Sequence, residues 1–278
     1  QYILKLGIIC LGIRLSFEEF IKFGSIAIPL IIVCILAVLI LIKLLIKKVP
    51  ISSKMSYLIA IGTSVCGATA IVATAPVINA KKTEIAYAIA NITLFGVIAM
   101  IVYPYFAEWF FNENELKAGL FLGTAIHETS QVAAAGLIYD QQFNSPETLN
   151  VATVTKLIRN TFLVIMIPLF AFLYNRGEMK GNSYSLLDIF PYFVLGFIGM
   201  IIIRNLGDQI FLIESENHIY WINFIEIIKI LATTFLTMAM AAVGISINLS
   251  ELRLMGYKPF VVGLIAAVTV GFISLIYI

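Results

Sequence analysis

The sequence predicts an all-α polytopic membrane protein, and three observations support this fold class. Hydrophobic residues make up 61% of the 278 residues and charged residues 12%, and the mean hydropathy is +1.01. Apolar runs long enough to cross a bilayer recur along the chain. Two short polar segments interrupt these runs and resemble each other, which indicates an internal repeat. A soluble domain of this composition would be unusual.

Apolar runs of about 20 residues, the length that spans a bilayer core, mark the candidate membrane helices. They lie at 25–46, 84–107, 150–174, 188–206, 219–245 and 257–278. A shorter run at 1–13 opens the chain within apolar sequence, so we expect upstream residues, including a further helix, to precede it. The sequence therefore predicts about seven transmembrane helices in a single transmembrane domain covering 1–278.

The two polar interruptions look like copies of one motif. One copy reads GTSVCGATAIVA at 62–73, and the other reads GTAIHETSQVAA at 123–134. Backbone that leaves the helix inside a bilayer survives only where protein or a water-filled cavity satisfies its polar groups. A duplicated pair of such breaks is the sequence feature that best indicates the substrate site of a secondary transporter. The alternative is chance recurrence, because small residues also let membrane helices pack closely.

The charges that flank the two breaks predict how they enter the membrane. Lysines flank the segment 55–80, and mostly acidic residues flank the segment 118–139. Because cytoplasmic loops favour Lys and Arg, both ends of the first segment are expected inside and both ends of the second outside. The simplest solution is two re-entrant or broken helical hairpins that enter from opposite faces; a full broken span at 55–80 is the alternative. An inverted-repeat transporter follows, with repeats at about 1–110 and about 117–278.

The second break carries two titratable residues, His127 and Glu128, near its predicted tip. Ionised side chains at membrane depth are costly, so they usually mark an ion or proton path. Histidine titrates near neutral pH and buried glutamate can do so too, so this pair suits proton coupling. The alternative is a neutral His127 and a protonated Glu128 that only tie the hairpin legs together.

Two cations, Lys156 and Arg159, lie three residues apart and hence on one face of the predicted span 150–174. Charges at that depth need a partner, and Glu128 is the protein carboxylate available. One positive charge then remains, as an oxyanion site requires, and the planar fork of Arg159 suits bidentate binding. Alternatively, Lys156 snorkels outwards while Arg159 only pairs with Glu128.

Hydroxyls and exposed backbone N–H groups at the breaks would add contacts to an anion, because helix N-termini carry positive partial charge. The candidate substrate ligands are Thr63, Ser64, Cys66, Gly67 and Thr69 in the first hairpin, and Thr129, Ser130 and Gln131 in the second. Asn91 and Asn160 are secondary candidates, Asn91 as the counterpart of the cationic helix and Asn160 as the neighbour of Arg159. Glu226 and Lys229 are expected to form a structural pair.

Three motifs resemble the signatures of one family. They read LGIRLS at 11–16, CGATAIVATAP at 66–76 and HETSQVAAAG at 127–136. In these motifs the chain resembles the YeiH-like bacterial inner-membrane proteins, a family named for sulfate export and grouped loosely with cation:proton antiporters and bile-acid symporters. The resemblance covers essentially the whole chain. It implies a polytopic bacterial transporter with an inverted repeat.

The predicted function is secondary active transport of a small oxyanion, with sulfate or a related sulfur oxyanion first, across the bacterial inner membrane. H⁺ is the expected coupling ion. A sodium-coupled symporter of organic anions or carboxylates stays open, with Na⁺ held by hairpin carbonyls. The alternatives from other classes are an anion channel and a membrane-embedded enzyme with Cys66 as nucleophile and His127 as base.

The remaining expectations concern cofactors and partners. The three cysteines are irregularly spaced and no metalloprotease or nucleotide-binding motif occurs, so neither a metal site nor a cofactor is expected. The expected partners are a small anionic substrate and the lipid bilayer, without nucleic acid. A homo-oligomer is left open, and enzymatic activity is not expected.

Overall fold

The computed structural model describes residues 2–14, 16–112, 114–175, 193–211, 218–245 and 256–278, and within these ranges the regular secondary structure is helical. The helices are α1 (Tyr2–Leu11), α2 (Phe17–Ile46), α3 (Ser53–Ser64), α4 (Ala68–Thr74), α5 (Lys82–Phe111), α6 (Glu115–Ala125), α7 (Thr129–Phe143), α8 (Pro146–Thr161), α9 (Leu163–Asn175), α10 (Phe193–Ile210), α11 (His218–Ile245) and α12 (Lys258–Tyr277). A 3-10 turn, Gly12–Arg14, follows α1. The predicted all-α fold class is confirmed.

Helices long and apolar enough to cross a membrane occur in four of the predicted places. Among the described residues they are Ile21–Ile46, Lys82–Phe111, Glu147–Phe170 and Lys258–Tyr277. The third comprises α8 and α9, which meet at Phe162, where the Phe162 N–H bonds to the carbonyls of Arg159 and Asn160. The run at 219–245 is helical as α11, and the run at 188–206 is helical from Phe193 onwards. The total of seven membrane helices stays a prediction.

The chain divides into two compact units. One unit combines Gln1–Lys22 with Phe190–Ser246, and the other combines Phe23–Ile189 with Ile247–Ile278. Each predicted repeat contributes segments to both units. The units therefore do not coincide with the repeats, and the repeat boundaries stay a prediction from the sequence.

The first unit packs α1 against α10 and α11. Gly12, just after α1, lies so close to the carbonyl oxygen of Phe197 that no Cβ would fit there. On α11 the predicted pair of Glu226 and Lys229 is confirmed, with 2.7 Å between Oε1 and Nζ.

In the second unit, α3 and α4 form a helical hairpin. Lys54, in the first turn of α3, donates from Nζ to the carbonyl of Asn79, just beyond α4, at 2.7 Å. Along one continuous helix these residues would stand roughly 38 Å apart at 1.5 Å per residue. Nearer the tip, Gly62 of α3 lies against the side chain of Ile71 of α4. The chain thus returns to the end at which it entered, and the alternative of a full broken span does not describe this segment.

The direction of α6 can be read from its packing on α8. Gly119, early in α6, packs against Val151, and Gly123, later in α6, packs against Thr155. The earlier position in α6 contacts the earlier position in α8 and the later contacts the later, so α6 and α8 run parallel. Because neither glycine has room for a Cβ, the two backbones come close together.

The following helix, α7, runs the opposite way. Gly136, towards the end of α7, packs against Leu149 near the start of α8. Thr129, at the start of α7, accepts a hydrogen bond from Asn160 near the end of α8. Since α7 is antiparallel to α8 and α6 is parallel to it, α6 and α7 form the second hairpin.

Helix α5 relates the two hairpins to each other. In its first turn, Glu84 accepts a 2.5 Å hydrogen bond from Ser52, at the base of the first hairpin. Near its end, Glu108 accepts a 2.7 Å bond from Tyr139, near the base of the second hairpin. The 30 residues of α5 span roughly 45 Å at 1.5 Å per residue. The hairpins therefore enter from opposite ends of α5, as the flanking charges suggest, and their tips meet near its middle.

Candidate functional site

The two hairpin tips are the places where the helices break. The first break runs over 65–67 between α3 and α4, and the second over 126–128 between α6 and α7. Gly67 has φ +61°, a left-handed conformation that favours glycine. A Cβ on Gly67 would also lie 2.6 Å from Cγ of Glu128. Glycine is therefore required at position 67 for two reasons, the backbone conformation of the first tip and its close contact with the second tip.

Breaking α3 leaves carbonyl groups at its C-terminal end that the helix itself cannot satisfy. The carbonyls of Ile61 and Gly62 accept from the N–H groups of Val65 and Gly67, at 3.1 and 2.9 Å. The carbonyls of Thr63 and Ser64, the last two residues of α3, have no such backbone donor among the described residues. They need a donor from elsewhere in the fold.

Arg159 supplies that donor from α8, where its side chain is fully buried. Its Nε donates to the carbonyl of Ser64 at 2.9 Å, and its Nη2 donates to the carbonyl of Thr63. Its Nη1 reaches the other tip, donating to the carbonyls of Thr124 at 2.5 Å and Ile126 at 3.4 Å. One guanidinium thus binds the C-terminal ends of α3 and α6, where the helix dipoles favour positive charge.

Lys156 has an equivalent role, about a turn earlier on α8. Its fully buried ammonium donates to the carbonyl of Val65 at 2.9 Å in the first tip. It also donates to the carbonyls of Ile126 at 3.0 Å and His127 at 2.5 Å in the second tip. Its three protons each have an acceptor, and both tips are joined a second time.

These contacts correct the expectation that Glu128 is the partner of the two cations. Among the described residues, ion pairs within 4.0 Å join Arg204 to Asp208 and Lys229 to Glu226. The two cations of α8 are satisfied by carbonyl groups that the breaks expose. Lys156 does not snorkel outwards, and the donors of Arg159 point at backbone oxygens. A bound anion would therefore experience the charge of Arg159 without a bidentate contact to it.

Glu128 instead contacts the first tip and α5. Its Oε1 accepts from the backbone N–H of Ala68 at 3.4 Å and from the hydroxyl of Thr93 at 3.2 Å. Gln131 donates from Nε2 to the carbonyl of Thr93 at 3.2 Å. Glu128 is 8% exposed and His127 2%. The carboxylate therefore links both tips to the middle of α5.

Thr93 is the site residue that the sequence prediction missed. Asn91, two residues earlier, is the predicted candidate on α5, but its Nδ2 donates to the carbonyl of Pro259 at 2.9 Å. Asn91 therefore joins α5 to α12. Thr93 could have been predicted as a hydroxyl residue in the middle of an apolar helix, at the same depth as the hairpin tips. Asn160, by contrast, lies at the site through its bond to Thr129.

Several buried polar atoms around the tips lack a hydrogen-bond partner among the residues that the structure describes. They are Thr63 Oγ1, Ser64 Oγ, His127 Nδ1, Gln131 Oε1 and Asn160 Oδ1. Folded proteins leave few such atoms, since each costs about 1–3 kcal/mol. Their concentration here is expected of a centre that binds water or a ligand. Thr69 and Thr129 beside them are half-buried and Ser130 is exposed, so hydroxyls are accessible at the edge of the centre.

The pairing of Cys66 with His127 that the alternative of a membrane-embedded enzyme requires does not form in this geometry. The thiol of Cys66 is buried at the first tip. Nδ1 of His127 has no hydrogen-bond partner. Between these two described residues there is no hydrogen bond of the kind that activates a nucleophile.

Comparison with known proteins places the chain in a family. Residues 1–263 match the family described as Conserved hypothetical protein 698. A UPF0324 membrane protein of Fusobacterium nucleatum is 36% identical over 278 residues, covering 98% of this chain and 80% of that protein. UPF0324 membrane proteins of Streptococcus agalactiae and Clostridium tetani are 33% and 31% identical, covering 95% and 98% of this chain and 76% and 78% of their own.

No solved structure matches the chain. The similarity to bacterial membrane proteins over nearly the whole length confirms the family resemblance and the multi-pass membrane localisation that the sequence predicts. The chain belongs to the conserved hypothetical protein 698 family, together with the UPF0324 membrane proteins.

Proposed function

We propose that this protein is a secondary active transporter of a small oxyanion, with sulfate or a related sulfur oxyanion as substrate and H⁺ as coupling ion. The observation that carries the proposal is the charge at the crossing of the hairpins. Two fully buried cations, Lys156 and Arg159, lie there with one buried carboxylate, Glu128. The excess positive charge favours binding of an anion at membrane depth.

Transport requires a binding site that faces the two sides of the membrane in turn. Lys156 and Arg159 each bind carbonyl groups of both tips. The tips are thereby tied into one body, which can move with its substrate. An anion channel, the alternative from another class, needs no such coupled pair of tips.

The anion would bind beside the tips, where accessible hydroxyls occur. Thr69 and Thr129 are half-buried and Ser130 is exposed. Among the described residues, no side chain caps the first turn of α7, which contains Ser130, and the N–H groups at such a helix N-terminus favour an anion. Thr63 and Ser64 are fully buried and their carbonyls bind Arg159. Thr63 and Ser64 would therefore affect anion binding indirectly, by holding the first tip in its conformation.

Uptake of labelled sulfate, sulfite and thiosulfate into proteoliposomes with an imposed pH gradient tests the proposal. We expect gradient-driven uptake by the wild type. We also expect Ser130→Ala to raise KM about 10-fold, the effect of one lost hydrogen bond to a charged ligand. Thr269→Val is the matched control, because the Thr269 hydroxyl bonds to the carbonyl of Ile265 in its own helix. No uptake of any of the three anions by folded protein would overturn the proposal.

The same vesicles separate the alternatives. A sodium-coupled symporter would take up organic anions or carboxylates with a Na⁺ gradient and no pH gradient. A channel would conduct in electrical recordings at rates far above transporter turnover. Each result would replace the proposed function with the alternative that it identifies.

A further inference from the structure

Resting on the proposed function, we propose that the carboxylate of Glu128 occupies the place of the transported anion and is displaced by it. The anion then binds only when Glu128 has taken up a proton. Proton and anion occupy the centre together and cross the membrane in the same direction. The coupling is therefore symport, with one proton held on the Glu128 carboxyl for each anion bound.

The first argument is that Glu128 already makes the contacts that an oxyanion needs. One oxygen, Oε1, accepts both from the Ala68 N–H and from the Thr93 hydroxyl. These donors come from two elements, the first hairpin and α5, and they converge on one acceptor. An oxygen of sulfate is chemically equivalent as an acceptor.

The second argument concerns charge. With Glu128 ionised, the centre holds two cations and an internal anion. When Glu128 is protonated, its negative charge is lost while Lys156 and Arg159 stay bound to backbone carbonyls. Protonation of Glu128 therefore strengthens the attraction for an external anion, and the same step frees the Ala68 N–H and the Thr93 hydroxyl to bind it. Binding of the proton and binding of the anion therefore favour each other.

The third argument is the contact between Glu128 and Gly67. A Cβ at Gly67 would lie 2.6 Å from Cγ of Glu128 and 3.3 Å from Oε1. The side chain is thus held against the first tip on the side where the Ala68 N–H lies. Gln131 donates a hydrogen bond to the carbonyl of Thr93. This bond positions α5 so that the Thr93 hydroxyl contacts Glu128. The place that Glu128 occupies is therefore defined by both hairpins and α5.

Other titratable groups surround Glu128 and have different roles. Lys156 and Arg159 face the centre from α8, Cys66 from the first tip, and His127 precedes Glu128 in the second tip. Lys156 and Arg159 are held by carbonyls, and the Cys66 thiol is buried. Glu128 is the one of these whose bonds an anion can replace directly.

Glu84 provides a matched control, because it is a buried glutamate with the same kind of partners. Its carboxylate accepts from the hydroxyl of Ser52 and from the backbone N–H of Lys81. It is 5% exposed, against 8% for Glu128. It lies at the base of the first hairpin, away from the cations. A general effect of neutralising a buried glutamate will appear in Glu84→Gln as well as in Glu128→Gln.

The direct test is proton uptake on anion binding by the full chain purified in detergent and weakly buffered. Sulfate, sulfite and thiosulfate are the probes. We expect wild type and Glu84→Gln to take up about one proton per anion bound. Glu128→Gln should bind anion without proton uptake and with an affinity that no longer depends on pH. Wild-type proton uptake by Glu128→Gln, or folded Glu128→Gln that binds none of the anions that Glu84→Gln binds, would overturn the proposal.

Transport assays separate failure of this inference from failure of the proposed function. Glu128→Gln should keep anion exchange across the vesicle membrane and lose accumulation driven by a pH gradient. If wild type neither binds nor transports any of the three anions, the proposed function fails and the inference with it. If wild type is active but exchange by Glu128→Gln keeps the wild-type pH dependence, only the inference fails.

Thr93 offers a second variant that leaves Glu128 in place. Thr93→Val removes the shared hydroxyl, so KM for the anion should rise about 10- to 100-fold while pH-gradient coupling persists. Thr93→Ser should restore the wild-type KM. An unchanged KM in Thr93→Val would show that the anion does not use the donors of Glu128.

Discussion

Replacing Gly67 with alanine tests the close packing of the two hairpin tips. Gly67 has φ +61° and ψ −131°, a region that costs other residues about 1–3 kcal/mol. The added Cβ would lie 2.6 Å from Cγ of Glu128, and forced overpacking of this kind costs about 1–3 kcal/mol more. Gly67→Ala should therefore be destabilised by about 2–6 kcal/mol. It should also displace Glu128 from the N–H of Ala68.

Gly199→Ala is the control for this prediction. Gly199 lies within α10 and has nothing within 4 Å of an added Cβ. Alanine in a helix interior is favoured over glycine by roughly 0.5–1 kcal/mol. Thermal unfolding in detergent, followed by tryptophan fluorescence, should give a lower Tm for Gly67→Ala and an unchanged or higher Tm for Gly199→Ala. Equal Tm and equal transport for Gly67→Ala and wild type would refute the packing argument.

The remaining predictions concern the cation and thiol of the same centre. Arg159→Met should lose about 2–6 kcal/mol of stability, because the buried carbonyls of Thr63 and Ser64 lose their donor and each costs about 1–3 kcal/mol; the control Arg204→Met, which breaks a half-buried pair with Asp208, should lose about 1 kcal/mol. Comparable unfolding midpoints for the two variants would contradict the capping role of Arg159. Cys66→Ser should keep transport near the wild-type rate, since an anion transporter needs no nucleophile there; abolished activity in folded protein would favour the Cys66–His127 enzyme.

The breaks could be predicted because they depend on local chemistry. Glycine and hydroxyl residues in an apolar chain mark backbone that leaves the helix, and flanking charges indicate the face of entry. The helices on both sides of 65–67 and 126–128 follow this pattern. Glu84 and Glu108 bind the bases of the two hairpins at opposite ends of α5, and the assignment of one end to the cytoplasm stays a prediction.

The partners of Lys156 and Arg159 could not be predicted in the same way. A sequence displays side-chain charges, so Glu128 is the evident partner for both cations. The acceptors that compete with it are backbone carbonyls, which every residue carries and which become unpaired only where a helix ends. Arg159 binds carbonyls from the ends of both α3 and α6. This arrangement exists only once both hairpins have formed.

Local sequence alone specifies a helical membrane protein whose helices break at two places. Hydropathy and glycine-rich motifs are local properties, so they can be read along the chain. Tertiary packing determines that Thr93 joins Glu128 while Asn91 binds α12. These residues are two apart on α5, and residues at that spacing point to different faces of a helix. Only the packing of neighbouring helices decides which face meets the site.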